Sequence, residues 1–244
     1  MKAQPARWIV VTAFALLAST ACIFLARWQL NRLHGRNDAN RIITSNYDQP
    51  ATPLTRTVRP GEPLDTRTTW RAVTAQGTYD QSDELLVRKR SLNESTGYWV
   101  LTPLDTSSGR IWAVRGWIRA GADARTPSLT PAPPAGRVSV TGYLRGLERT
   151  TDTQGLPDRQ IQTISPSVIN GSRSTPTYQA WLQVATEDPA PKTTPTRLPN
   201  PDVSSGPHLG YVVQWIAFAL LIWVGWWIIV RRTDTELTEN GSSP

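Results

Sequence analysis

The sequence predicts two transmembrane helices enclosing an extracytoplasmic, mostly β domain, antiparallel and closing toward a small barrel or sandwich. Three observations carry that reading. Trp8–Ala26 is free of charged residues, and so is Tyr211–Val230. At a rise of ~1.5 Å per residue, each run can cross a hydrocarbon core of about 30 Å as a helix. Between them, short β-rich runs alternate with turn residues at the spacing of a small all-β fold. Chain averages hide this pattern: 39% hydrophobic residues and a mean hydropathy of −0.34 describe an ordinary soluble protein.

In chain order, residues 1–7 form a cytoplasmic N-terminus and residues 8–26 the first span. Lys2 and Arg7 would also suit the basic region of a signal peptide, and Ser19-Thr20-Ala21-Cys22 faintly resembles a lipoprotein cleavage site. Such sites favour a branched aliphatic where Ser19 stands, and apolar residues continue through Ile23, Phe24 and Leu25, so a retained helix is the better reading. Trp28, Leu30 and Leu33 carry the helix a few turns further. Pro50, Pro53, Pro60 and Pro63 then mark an extended lead-in to the domain spanning residues 27–208.

Strands are expected at Trp70–Tyr79, Glu84–Arg88, Tyr98–Leu104, Ile111–Ile118 and Arg137–Leu147, with weaker ones at Gln160–Ile164 and Tyr178–Val184. Asp80–Asp83 and Asp105–Gly109 read as turns, Pro127–Pro134 as a loop and Pro189–Pro207 as a linker. Trp70, Val100, Val114, Trp117 and Val140 are expected in the core. Residues 209–230 form the second span and 231–244 a cytoplasmic tail. Arg231 and Arg232 close that span, whereas no Lys or Arg lies between Leu198 and Val230. The positive-inside rule therefore puts both termini in the cytoplasm and the domain outside, in a multi-pass cell-membrane protein. Around the first span, Arg27, Arg32, Arg36 and Arg41 argue the other way. Long domains translocate largely regardless of charge, so the second span decides.

Net charge is +7, from 26 basic and 19 acidic residues. Lysine occurs only at Lys2, Lys89 and Lys192, and the arginines are scattered, with no recognition-helix or RNA-binding motif. A solvated surface beside anionic lipid explains the charge without nucleic acid.

Few groups are left for chemistry. Cys22 is the single cysteine, which excludes an intrachain disulfide and a multi-cysteine metal site, and the only histidines are His34 and His208. No G-x-S-x-G, Walker loop or H-E-x-x-H occurs, and no carboxylate pair is singled out by spacing, so no catalytic residue is assigned. His208 heads the second helix, with Tyr211 (i+3) and Trp215 (i+7) on its face. An imidazole there can serve as an axial haem ligand beside aromatic surface. It can equally be an interfacial polar residue within an ordinary aromatic belt. His34 has no aromatic neighbours in sequence. Trp223, Trp226 and Trp227 read as interfacial anchors and lipid-facing bulk.

Five segments in order resemble the Surfeit locus protein 1 family. They are Trp28-Gln29-Leu30-Asn31-Arg32; Trp70-Arg71 through Gly77-Thr78-Tyr79-Asp80 to Glu84-Leu85; Gly97 to Leu104; Val114-Arg115-Gly116-Trp117-Ile118; and His208-Leu209-Gly210-Tyr211 with Trp215. Departures are Arg119-Ala120 where many members have a proline, the missing tryptophan near Asp158–Gln162, and Pro207 where an asparagine usually stands near the histidine.

The resemblance implies a membrane assembly factor for haem-copper cytochrome c oxidase, a chaperone of the respiratory chain rather than an enzyme. It would bind haem a transiently, with His208, Tyr211 and Trp215 as the cofactor-binding residues and no other metal. Its implied partners are oxidase subunit I or its assembly intermediates, haem a synthase and membrane lipid. Two alternatives stay open: a stable accessory subunit of an oxidase or supercomplex without haem of its own, and a membrane-anchored envelope enzyme.

Overall fold

The computed structural model describes residues 5–121, 129–151, 155–169 and 175–240. The ends of the expected termini, and Pro127 and Ser128 of the expected loop, lie outside the described residues. The chain divides into two units, residues 1–40 with 203–244, and residues 41–202.

The first unit is built on two helices. α1 spans Pro5–Tyr47, its last turns belonging to the second unit, and α4 spans His208–Asn240. Both are long and apolar enough to cross a membrane. α1 continues past the first span to Tyr47, because no proline or helix-ending glycine motif interrupts the chain before Pro50. Its buried residues Ala15, Ser19, Cys22, Ala26 and Leu33 follow a three–four spacing, so they form one face. Ser19 satisfies its hydroxyl on the Ala15 carbonyl (2.7 Å), as a polar side chain inside an apolar helix must.

Two side-chain bonds fix the register of the pair. Trp226 Nε1 donates to Thr12 Oγ1 (3.0 Å), and His208 bonds Gln29 (2.9 Å). Residue numbers rise along one helix as they fall along the other, so the helices are antiparallel. The two bonds lie ~26 Å apart along each axis, close to the depth of a hydrocarbon core. The remaining faces expose Phe14, Leu17, Phe24, Leu220 and Leu221, which suits lipid.

The second unit is a mixed β domain. Its strands are β1 (Thr52–Pro53), β2 (Ala72–Tyr79), β3 (Leu85–Leu92), β4 (Ser95–Thr106), β5 (Gly109–Arg119), β6 (Arg137–Gly146), β7 (Gln160–Ile161) and β8 (Thr177–Asp188). Single-turn helices α2 (Leu54–Thr57) and α3 (Pro166–Ile169) sit in the connections. Hydrogen bonding runs β1-β2-β6-β8-β5-β4-β3-β7, and β2 also pairs with β4. That last pairing closes β2-β6-β8-β5-β4 into a five-stranded ring, so the expected barrel forms and the central strands have no free edge.

The expected antiparallel sheet forms in part, and the sheet is mixed. β5 and β8 pair in parallel, as do the short pairs β1–β2 and β3–β7. The reason is the strand order: β8 inserts between β6 and β5, which follow one another in the chain but are not hydrogen-bonded neighbours, and being antiparallel to β6 it runs parallel to β5.

The run Ile111-Trp112-Ala113-Val114 is continuously apolar because β5 is buried on both faces. Ile111 and Ala113 join Val73, Leu104, Val140 and Leu182 in one cluster, whereas Trp112 and Val114 join Val87, Leu101, Ile164 and Trp181 in another. At Gly116 (φ +154°) a Cβ would meet the Thr196 carbonyl at 2.7 Å, so only glycine lets the exit linker pair with Trp117. Val100, Val114, Trp117 and Val140 are buried as expected. Trp70 is not: it precedes β2 with φ 67°, is only half-buried, and lies beside Tyr47 and Tyr143.

Candidate functional site

Three of the five sequence segments build the barrel rather than a site. Tyr98, Val100, Leu101 and Leu104 are essentially inaccessible in β4. Polar members of these segments and their sequence neighbours meet in two ion networks. The Arg110 guanidinium grips Asp105 (2.6 Å), Asp83 (2.7 Å) and Asp80 (2.8 Å). Arg115, fully buried, faces Glu187 (3.3 Å) and Glu84 (3.6 Å) and donates to the carbonyls of Pro131 and Ala132. Burial pushes the Glu84 carboxyl up, while the Thr102 hydroxyl and the positive charge of Arg115 pull it back. The Ser82 hydroxyl and then Arg110 hold Asp80 below the ordinary carboxylate range. Each carboxylate is thus committed to an arginine or a hydroxyl, an arrangement that stitches strands together.

The other two segments meet in the helix pair. Trp28 and Gln29 lie on α1, with the Arg32 guanidinium 5.4 Å above the Trp28 ring one turn on. Gln29 reaches across to His208, the first residue of α4, and the Nδ1–Oε1 distance is 2.9 Å. An amide oxygen only accepts, so in this bond Nδ1 is the donor, and in the neutral ring that tautomer puts the lone pair on Nε2. This is the arrangement in which a metal-ligating histidine is oriented by a partner on its other nitrogen.

Gly206, with φ +67°, lies beside the Cδ2–Nε2 edge of the ring. A Cβ there would stand 3.6 Å from Cδ2 and 3.7 Å from Nε2 of the imidazole. The turn leading to His208 is held on α1, because Arg36 Nε donates to Ser204 O (3.0 Å) and Asn40 Nδ2 to Val203 O (2.7 Å).

Tyr211 is exposed one turn beyond His208, its N–H bonded to Pro207 O. Trp215 follows, edge to face with Phe218 at 5.7 Å. Both sit on α4 at the spacing the sequence implies. His34 is exposed on α1 and has no part in the arrangement. Among the described residues, no three His, Cys, Asp or Glu side chains gather as a metal centre. Sequence reasoning named His208 but missed Gln29 as its partner, since 179 positions separate them. The sole signal was that the two segments flank the two apolar runs on the same side.

Fold and site together define a class: a β-barrel domain carried by two helices of membrane-spanning length, with an oriented imidazole at the head of the second. The chain belongs to the SURF1 family, whose match covers residues 16–220. That family is associated with cytochrome oxidase assembly and is not a known enzyme family. Proteins described as uncharacterized SURF1-like proteins, from Mycobacterium bovis and from two strains of Mycobacterium tuberculosis, are 28% identical to it over 243 residues. The alignments cover 97% of this chain and 87% of those proteins.

Proposed function

We propose that this protein holds haem a at the membrane during assembly of a haem-copper cytochrome c oxidase and offers it to subunit I. The observation that carries the proposal is the imidazole of His208, whose Nδ1 is engaged by Gln29, so that Nε2 is the nitrogen left for a ligand bond. These residues fit the group: a neutral imidazole is an axial ligand, Gln29 orients it, and Tyr211 and Trp215 supply aromatic surface on the same helix face. Bound haem a would bring the redox-active iron of the oxidase.

The chain's own part is to fix the ligand nitrogen and to keep a poorly soluble macrocycle at the bilayer. The apolar flanks of α1 and α4 provide that location. Both termini then lie in the cytoplasm and the β domain outside, on the argument from Arg231 and Arg232. Subunit I, its assembly intermediates and haem a synthase are the expected partners.

Copurification with the oxidase separates this reading from an accessory subunit. An assembly factor is recovered well below one copy per mature oxidase and is enriched on intermediates lacking haem. Stoichiometric recovery with the mature enzyme would overturn the assembly role.

A further inference from the structure

The barrel carries a second feature that the helix-pair site does not use. Cationic and aromatic side chains alternate across its outer face. Arg90 lies 4.1 Å over Trp99, Trp99 packs on Trp181 at 5.7 Å, Arg145 lies 5.1 Å over Trp181 and 3.8 Å over Trp70, and Trp70 neighbours Tyr143 at 6.1 Å. The two arginines are treated differently. Arg90 is neutralised by Glu148 through Nη2, at 2.6 and 2.8 Å. Arg145 has no carboxylate within ion-pair distance among the described residues, and its one hydrogen bond is from Nη1 to the Gln183 amide oxygen (2.9 Å).

That bond leaves the Nε–Nη2 edge of Arg145 open. Arg110 uses the same edge to grip both oxygens of Asp105, and Arg67 uses it on Asp65. A guanidinium is always charged, and its fork matches a carboxylate bidentately. Burial pushes the Arg145 guanidinium down to about 10, only partly offset by the charge of Glu148, as befits a cation lacking a counter-ion. The same side chain lines a cavity of about 250 Å³ walled by Trp70, Trp99 and Gln183 and bounded by residues 198–201. Trp70 reaches this wall from a left-handed backbone conformation that a bulky residue rarely adopts.

We propose that the Arg145 guanidinium and the Trp70 and Trp99 indoles form a binding site for a small organic carboxylate with a flat, apolar body. The carboxylate takes the Nε–Nη2 edge, and the body lies against the indoles, where apolar burial and stacking add to the charge-assisted bonds. Arg90 shows what a purely structural rung of the ladder looks like, with its own acid supplied. This inference is independent of the haem reading and concerns the barrel alone.

The test is calorimetric titration of the full-length protein in lipid nanodiscs with 3-(indol-3-yl)propionate and with its neutral primary amide. Saturable binding of the acid is expected, with the amide weaker by about tenfold or more. Arg145→Lys, which keeps the charge but loses the fork, should weaken the acid by a similar factor. Gln183→Glu guards against a fold defect: it places an internal carboxylate beside Arg145, so binding should vanish while the melting temperature holds or rises. The proposal is overturned if the wild type shows no saturation by the acid, if acid and amide bind alike, or if Gln183→Glu binds the acid as the wild type does.

Discussion

Replacing Gln29 by leucine removes the acceptor that orients His208 while keeping side-chain bulk on α1. The two groups share one hydrogen bond of 2.9 Å between partly buried atoms. Such a bond contributes about 0.5–1.5 kcal/mol net, equivalent to roughly a two- to twelvefold change in an equilibrium constant. In free histidine the Nε2–H tautomer prevails, so the Gln29 carbonyl must overcome that preference to hold Nδ1–H. With only His34 and His208 in the chain, nitrogen-15 NMR of histidine-labelled protein resolves both rings, and His34→Gln assigns them. Wild-type His208 should show a protonated Nδ1 and an unprotonated Nε2, whereas Gln29→Leu should shift the ring toward Nε2–H. Haem affinity should fall about tenfold or more in the same variant, the usual consequence of losing a ligand's outer hydrogen-bond partner. A wild-type His208 carrying its proton on Nε2, or a tautomer unmoved by Gln29→Leu, would rule out Gln29 as the group that orients the ring.

Reporter fusions after Leu54 and after Pro244 should read outside and inside respectively; the reverse pattern contradicts the orientation taken from Arg231 and Arg232. Glu187→Leu leaves the buried Arg115 with Glu84 and two carbonyls, and should cost about 3 kcal/mol, lowering the barrel's melting temperature by roughly 6–12 °C by circular dichroism. The double change Arg115→Leu/Glu187→Leu should recover most of that loss, since an apolar pair replaces a buried ionic one. Asp80, depressed by Ser82 and Arg110, contributes stability above its ordinary value of 3.8 that is lost as pH falls through its lower folded value. Denaturant titrations from pH 5 downward should therefore show a steeper loss in wild type than in Asp80→Asn. Glu84, raised by burial, works oppositely, its penalty easing as it protonates.

Much of the fold was legible because its signals are local. The apolar runs, the alternation in Arg137–Gly146 and the turn at Asp105–Gly109 depend on residues a few positions apart, and β6 and the β4–β5 hairpin follow them closely. The parallel seating of β8 on β5 was not legible, because it depends on β8 inserting between β6 and β5, an order no local pattern encodes. Trp70 was expected in the core on hydrophobicity, yet its backbone turns it onto Arg145 instead. Ion networks were hidden for a similar reason: Arg115 and Glu187 lie 72 positions apart, and only the pairing of β5 with β8 joins them. The site was half legible. His208 stood out as one of two histidines, but its orientation depends on the antiparallel register of α1 and α4, which no spacing within either helix reveals.

Haem retention by His208 is read from the optical spectrum of the purified full-length protein from cells that make haem a, compared with His208→Ala and His34→Ala. A haem a spectrum is expected in the wild type and in His34→Ala. His208→Ala should lose most of the chromophore while membrane insertion stays intact, because the apolar run begins after residue 208. Equal haem content in wild type and His208→Ala, or no haem in either, would contradict haem retention by His208.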